Sequence, residues 1–250
     1  IIANKFLILP QGGTAVGSGI NAHKQFSRYF SQEISKLYPG KYKFIPSKNF
    51  YHELSSQDCS VQLSGELKNL AVILMKISND LRWMNSGPLT GLSEIELKAL
   101  QPGSSIMPGK VNPVIPEAVA MASADVIGND ASITIAAQSG SFQLNVMLPV
   151  IAYNLLKSIN LMAGSMSVLS QKAIKSFRVN VKNLETSLSK NPILVTALNP
   201  IIGYESAAAI AKKAYKENRP IIDVASEETD IPIAKLKKLL DPTKLSKGGI

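Results

Sequence analysis

The sequence contains few of the residues that form covalent cross-links or metal sites. Cys59 is the single cysteine, so the chain can form no intrachain disulfide, and it offers no metal-ligand spacing. A chain of this kind is typical of a reducing compartment. We therefore predict a cytoplasmic protein without a cysteine-based metal site.

Long apolar runs and aromatic residues are also scarce. No stretch is long and apolar enough to cross a membrane, and the balance of 45% hydrophobic to 18% charged residues is that of a compact globular protein. The net charge of +9 raises nucleic acid as a partner, but lysine and arginine are spread from Lys5 to Lys247 and only 6% of residues are aromatic. We predict no membrane and no nucleic-acid partner, and a diffuse positive field that attracts small dianions.

The beginning of the sequence carries no recognisable targeting signal. Ile1-Ile2 is not a translation start, and residues 1–10 lack the flanks and the length of a signal peptide. We expect a further N-terminal part to precede these residues. Since that part can carry a targeting sequence, a mitochondrial location stays open beside the cytoplasmic one.

Three segments show the apolar spacing of long helices. The first follows Leu63 and ends at Gly87-Pro88, the second covers residues 114–137 and is rich in alanine, and the third covers residues 144–177, with Pro149 in its first turn or at a kink. Such helices pack lengthwise against others in a bundle. The apolar stripes are Leu67, Leu70, Leu74, Ile77, Leu81 and Met84 in the first helix, and Leu148, Ile151, Leu155, Ile159, Met162, Met166, Leu169 and Ala173 in the third.

Residues 11–23 are rich in glycine. They match neither the dinucleotide-binding pattern nor the phosphate-binding loop, so we interpret them as a close-packed bend. A helix over residues 24–37 and an irregular connection over residues 39–53 are predicted to follow.

The composition changes near Lys190. Asn191-Pro192, Asn199-Pro200 and Gly203 interrupt the chain and indicate shorter helices. We place a domain boundary close to residue 179, between a central helical domain, 1–178, and a small helical domain, 179–250. The short helices are predicted over residues 204–217, 220–226 and 232–240.

Residues 103–117 combine loop-forming and chemically active residues. Glycines and prolines exclude a regular helix at first, and a helix follows. Ser104 and Ser105 offer hydroxyls, Lys110 a cation and Asn112 an amide. A surface turn is the simpler interpretation of the composition alone, but the combination suits binding of a small oxyanion.

The full string from Gly103 to Pro113, Gly-Ser-Ser-Ile-Met-Pro-Gly-Lys-Val-Asn-Pro, resembles the signature of the aspartase/fumarase superfamily without a gap. Residues 194–204 also read almost as in fumarases. The resemblance implies an all-α fold, a long-helix bundle with a small helical C-terminal domain. It also implies a homotetramer whose sites are shared between subunits, a small dicarboxylate substrate and no cofactor.

The resemblance assigns roles to individual residues. Ser104 corresponds to the base that removes a proton from carbon, and Lys110 and Asn112 to the clamp that holds the resulting enediolate. Ser105 and the backbone around Val111 correspond to substrate contacts. Glu117 corresponds to a glutamate that orients a histidine contributed by another subunit, although a first-turn glutamate that compensates the helix dipole is the alternative.

Two motifs of the family are absent from these 250 residues. They are a Thr-His pair, which supplies the histidine, and a Ser-Ser-x-x-Thr segment; neither His23 nor His52 follows a threonine. We therefore expect this chain to be inactive alone. An arginine that relatives carry after Ser-Gly-Pro is replaced by Leu89.

Several segments decide between members of the superfamily. Residues 114–117 and 145–147 resemble aspartases, whereas residues 74–83, 141–146 and 194–204 are nearer to class II fumarases. We favour a fumarate hydratase that interconverts fumarate and (S)-malate. Aspartate ammonia-lyase and a catalytically silent structural relative stay as alternatives.

Overall fold

The computed structural model describes residues 2–107 and 109–248, without the side chain of Ile2. The chain divides into two compact units. The first contains the residues up to Asn85 together with Leu97–Phe177, and the second contains Ser86–Glu96 together with the residues from Arg178 onward. The division into domains 1–178 and 179–250 stays a prediction.

The first unit is built from helices and one small parallel sheet. Strands β1, Ile8–Leu9, and β2, Ile45–Pro46, pair in parallel. The helices of this unit are α1 (Ile2–Lys5), α2 (Phe26–Lys36), α3 (Phe50–Ser55), α4 (Asp58–Met84), α5 (Val114–Gln138) and α6 (Leu148–Val168), the last continued by a π-helical turn over Leu169–Ile174.

The three long helices α4, α5 and α6 confirm the bundle predicted from the apolar spacing. Pro149 lies in the first turn of α6, where its missing N–H costs no hydrogen bond. The predicted stripe of α6 is wrong at Leu148, which is 41% exposed, and at Ile159 and Met166, which are 37% and 43% exposed. Ser158 and Ser165 lie one residue earlier and are buried in their place, because small side chains let helices approach closely.

Polar pairs also join the long helices. The carboxylate of Asp130 on α5 is 7% exposed and accepts hydrogen bonds from Ser64 Oγ at 2.7 Å and Lys68 Nζ at 2.6 Å on α4. On the other side of α5, Asn129 Nδ2 donates to Ser158 Oγ of α6 at 3.2 Å. Because the polar groups of these pairs have defined partners, the contacts favour one register of the helices over others.

The turn between α5 and α6 is held by Asn145, which is 1% exposed. Its amide nitrogen donates to the carbonyl oxygens of Ala136 and Ala137 at 3.0 and 3.1 Å, and its carbonyl oxygen accepts from the Met147 backbone nitrogen at 2.8 Å. One side chain therefore provides hydrogen-bond partners for backbone groups at the end of α5 and at the beginning of α6.

The glycine-rich segment is a close-packed bend, as predicted. Gly17 is buried, and a Cβ at this position would lie 2.4 Å from the Tyr51 backbone nitrogen. The prediction of an irregular connection over residues 39–53 is wrong in part, because β2 and the start of α3 fall within it. Asn49 caps α3 by accepting from the His52 backbone nitrogen at 3.2 Å.

The second unit has its own apolar core. Strands β3, Ile95–Glu96, and β4, Arg178–Val179, pair antiparallel. The predicted helix 204–217 is confirmed, and the two after it begin one residue later than predicted. The helices are α7 (Val181–Ser189), a 3₁₀ segment (Pro192–Leu198), α8 (Asn199–Ile202), α9 (Tyr204–Glu217), α10 (Ile221–Glu228), α11 (Ile233–Leu239) and α12 (Pro242–Leu245).

Leu198, Ile221, Val224 and Leu236 form the centre of this core and are fully buried. Among the helices of the described residues, none has both the length and the apolarity to cross a membrane.

Candidate functional site

The segment that carries the candidate site is a loop that leads into α5. The Gly103 backbone nitrogen donates to the Lys110 carbonyl oxygen at 3.0 Å, and Asn112 Nδ2 donates to the Gly103 carbonyl oxygen at 2.8 Å. A Cβ at residue 103 would lie 2.1 Å from the Lys110 carbonyl oxygen, so only glycine permits this approach. The two hydrogen bonds close residues 103–112 into a defined loop.

Ser104 lies inside this loop, with its hydroxyl directed at backbone amides. Its Oγ accepts from the Ile106 backbone nitrogen at 3.2 Å and from the Met107 backbone nitrogen at 3.3 Å. Two N–H dipoles that point at one oxygen stabilise negative charge on it more than they stabilise the neutral hydroxyl. The loop geometry therefore directs two N–H donors at the Ser104 oxygen.

Lys110 shares a depression of about 520 Å³ with Ser104. Gly103, Met107 and Val111 also line it. Lys110 is exposed, and its ammonium group makes no hydrogen bond or ion pair with any residue that the structure describes. A small anion in the depression would thus meet a cation whose charge is not already neutralised.

The structure brings some of the predicted site residues together and keeps others apart. Ser104, Lys110 and Val111 line one depression, whereas Ser105 is exposed outside its lining. The Asn112 amide nitrogen is engaged with Gly103. Glu117 lies in the first turn of α5, half-buried, and its carboxylate has no partner among the described residues.

No group of three or more His, Cys, Asp or Glu side chains that could hold a metal ion occurs within residues 2–107 and 109–248. The groups with a shifted pKa lie outside the loop. The pKa of Lys157 is raised by its hydrogen bond to Asp125, and that of Glu227 is lowered by hydrogen bonds from Arg219.

Sequence reasoning missed the amides of Ile106 and Met107, since backbone groups leave no trace in side-chain identity. The available signal was the serine itself, because serine hydroxyls commonly accept from nitrogens two and three residues ahead in a turn.

Two family comparisons cover most of the chain. The model of a family described as "Lyase" matches residues 2–128, and that of "Fumarase C C-terminus" matches residues 194–247. The chain belongs to the aspartase/fumarase superfamily of lyases. Residues 103–113 lie within the range that the lyase family model matches, and the resemblance to the superfamily is confirmed.

Similar proteins of this superfamily include two bacterial relatives. Fumarate hydratase class II 2 of Pseudomonas aeruginosa is 64% identical over 242 residues, which are 97% of this chain and 52% of the relative. Fumarate hydratase class II of Xylella fastidiosa is 56% identical over 97% of this chain and 51% of the relative. The chain thus spans about half the length of the curated relatives that it matches.

Solved structures of the superfamily have the same fold. A Brucella melitensis protein described as fumarate lyase:delta crystallin, bound to cobalt, matches with a TM-score of 0.90 and 40% identity over 98% of this chain and 52% of that one. Recombinant class II fumarase of Schistosoma mansoni matches with a TM-score of 0.83 and 34% identity over 96% of this chain and 53% of that one. The all-α fold class is therefore confirmed.

Proposed function

We propose that this chain forms part of a class II fumarate hydratase, which interconverts fumarate and (S)-malate. The observation that carries the proposal is the 64% identity to a class II fumarate hydratase over 97% of the chain. The closed loop with Ser104 and Lys110 on one depression is a fitting site for a small dianion.

In the direction from malate, Ser104 as the alkoxide removes a proton from the carbon next to a carboxylate. The electron pair of that C–H bond moves into the carboxylate and gives an enediolate. Lys110 and Asn112 hold the added negative charge, and Ser105 and Val111 contact the substrate. The electron pair then returns to form the carbon–carbon double bond as hydroxide leaves, and a proton converts the hydroxide to water.

The hydrogen bonds at Ser104 support its role as the base. A serine hydroxyl is normally far too weak an acid to be ionised at neutral pH. Amide nitrogens at 3.2 and 3.3 Å and the cation of Lys110 on the same depression supply the charge stabilisation that the alkoxide needs.

A histidine that protonates the leaving group completes the proposal. We assign Glu117 to orient this histidine, which another subunit contributes through the Thr-His motif. The carboxylate of Glu117 has no partner among the described residues, so it is free to accept a hydrogen bond from an imidazole.

The sites are proposed to form between the subunits of a homotetramer. Support comes from large apolar side chains on the outward faces of the long helices, which a monomer would leave in water. They are Val72 and Ile73 on α4, Met121 and Ile135 on α5, and Tyr153 and Leu156 on α6, with exposed fractions between 49% and 68%.

The 250 residues on their own are proposed to be inactive, since they contain neither a Thr-His pair nor a Ser-Ser-x-x-Thr segment. We also propose a cytoplasmic location, which the bacterial sources of the relatives support.

The test compares fumarate hydration with aspartate deamination by the full-length protein. We expect fumarate to be consumed and malate to form, with no comparable release of ammonia from aspartate. Faster turnover of aspartate would identify an ammonia-lyase, and turnover of neither substrate would identify a silent structural relative. Fumarate hydration by the purified 250-residue chain would contradict the proposed need for the missing motifs.

A further inference from the structure

Positive charge and aromatic rings are concentrated in one part of the first unit, residues 24–48. This segment holds six lysines and arginines and a single acidic residue, Glu33. It therefore carries a net charge of +5 out of the +9 of the chain. Six of the aromatic residues also lie here, in a tenth of the sequence. The even spread of charge that the sequence analysis assumed does not describe this region.

The cations of the segment are available to a partner. Glu33 is already paired with Lys36, whose ammonium nitrogen lies 2.6 Å from its carboxylate. The other cations make no ion pair with any described residue. Two of them lie near tyrosine rings instead, Arg28 at 6.0 Å from the centre of Tyr29 and Lys41 at 5.2 Å from that of Tyr42.

Large apolar and aromatic side chains lie exposed among these cations. Leu37 is 73% exposed, and Tyr29, Tyr38 and Tyr42 are 50%, 47% and 43% exposed. Leu37 and the rings of Tyr38 and Tyr42 come from the stretch between α2 and β2. Exposed amphipathic rings beside lysines are typical of side chains that enter the headgroup region of a bilayer, where the ammonium groups remain in water.

The stretch is held in a defined conformation. Ser35 Oγ accepts from the Phe44 backbone nitrogen at 2.9 Å and donates to the Ser31 carbonyl oxygen at 2.6 Å. The Tyr38 ring packs against Tyr42 and Phe44 with centroids 6.0 and 6.1 Å apart. The segment therefore presents its apolar and basic groups without a large ordering cost on binding.

Contrary to the prediction of no membrane partner, which was made from the whole sequence, we infer that segment 24–48 is a peripheral binding surface for anionic phospholipid bilayers. Leu37 and the tyrosines enter the headgroup region, and Lys24, Arg28, Lys41, Lys43 and Lys48 pair with lipid phosphates. Two observations favour lipid over single-stranded nucleic acid. Leu37 has no counterpart in base stacking, and all but one of the unpaired cations are lysines and not the fork-shaped arginine.

The test is co-sedimentation of the full chain with vesicles that contain phosphatidylglycerol and phosphatidylcholine in equal amounts. We expect binding to these vesicles, little binding to pure phosphatidylcholine, and weaker binding as salt is raised, because salt screens exposed charges. The double variant Lys41→Glu/Lys43→Glu is expected to lower the partition coefficient about tenfold or more. The double variant Leu37→Ser/Tyr38→Ser is expected to lower the partition coefficient at every salt concentration.

The matched control is Lys237→Glu/Lys238→Glu on α11, which makes the same change in net charge at exposed positions of the second unit. We expect it to keep most of the binding. Equal losses in the two charge variants would mean that net charge alone attracts the protein, and the inference would be wrong. It would also be overturned if wild-type protein failed to sediment with the anionic vesicles, or if a single-stranded RNA oligomer bound more tightly and lost binding in the same variants.

Discussion

Asn112 and Gly103 are joined by a hydrogen bond of 2.8 Å from the side-chain amide to the backbone carbonyl oxygen. The Gly103 backbone nitrogen donates in turn to the Lys110 carbonyl oxygen. Lys110 and Asn112, the proposed enediolate clamp, are therefore both hydrogen-bonded to the residue that directly precedes the proposed base. The loop thus fixes the spacing between Ser104 and Lys110 through its backbone. Catalytic geometry of this kind is sensitive to small displacements.

The first prediction concerns Gly103→Ala in the full-length enzyme. The added methyl group would lie 2.1 Å from the Lys110 carbonyl oxygen, so the loop must open. We expect kcat/KM to fall about 100-fold, as for misplacement of a positioning group by about 1 Å. Gly109→Ala is the matched control, since nothing lies within 4 Å of its Cβ position, although its φ of +80° adds local strain. Equal losses in both variants would show that the closure at Gly103 is not the cause.

A second prediction tests the turn between α5 and α6. Asn145→Ala removes three hydrogen bonds of a buried side chain, and we expect the free energy of unfolding to fall by about 2–4 kcal/mol. Asn154→Ala removes one exposed hydrogen bond, to the Val150 carbonyl oxygen, and should change the free energy of unfolding by less than about 0.5 kcal/mol. Denaturant unfolding measures both, and similar values for the two variants would contradict the capping role.

A third prediction compares two ion pairs of α4. Asp130→Ala leaves Ser64 and Lys68 without their buried acceptor and is expected to destabilise the chain by about 3 kcal/mol. Asp80→Ala removes only an exposed pair with Lys76 within the same helix, which is worth less than about 0.5 kcal/mol. Thermal or denaturant unfolding separates the two cases. A small effect at Asp130 would mean that water replaces the lost carboxylate.

A fourth prediction concerns acid stability. Arg219 lowers the pKa of Glu227 below its ordinary value of 4.5 by hydrogen bonding to the carboxylate. A carboxylate with a lowered pKa stabilises the folded state above the unfolded pKa, and this stabilisation is lost as pH falls through the folded pKa. The difference in melting temperature between wild type and Glu227→Gln should therefore be largest near neutral pH and shrink below pH 4.5. Glu185→Gln, at an exposed acid with no ion pair to any described residue, is the control and should show no such trend.

The fold was predictable from the sequence wherever one helix face repeats at steps of three and four. Leu74 and Leu81 lie in the core of α4 as predicted, whereas the other members of their stripe are only half-buried. The same rule failed at Ile159 and Met166, because close helix packing selects small side chains over apolar ones at the points of nearest approach. Single-turn elements such as α12 were missed, since a short helix depends on its cap, here Asp241, more than on periodicity.

The candidate site was predictable as a set of side chains but not as a geometry. Ser104 and Lys110 were identified from the motif. The amides that point at Ser104 and the closure at Gly103 depend on backbone torsions of an irregular loop, which no side-chain pattern specifies. The outward apolar faces of α4, α5 and α6 likewise became visible only once the helices were placed against one another.

The most direct test of the proposed mechanism is the turnover of fumarate by full-length protein that carries Ser104→Ala, with Ser105→Ala as the neighbouring control. If Ser104 is the base, kcat should fall about 100-fold or more while KM changes little, and Ser105→Ala should act mainly on KM. A Ser104→Ala enzyme whose kcat stays within about twofold of wild type would contradict the assignment, because removal of the group that takes the proton must lower kcat by far more than twofold.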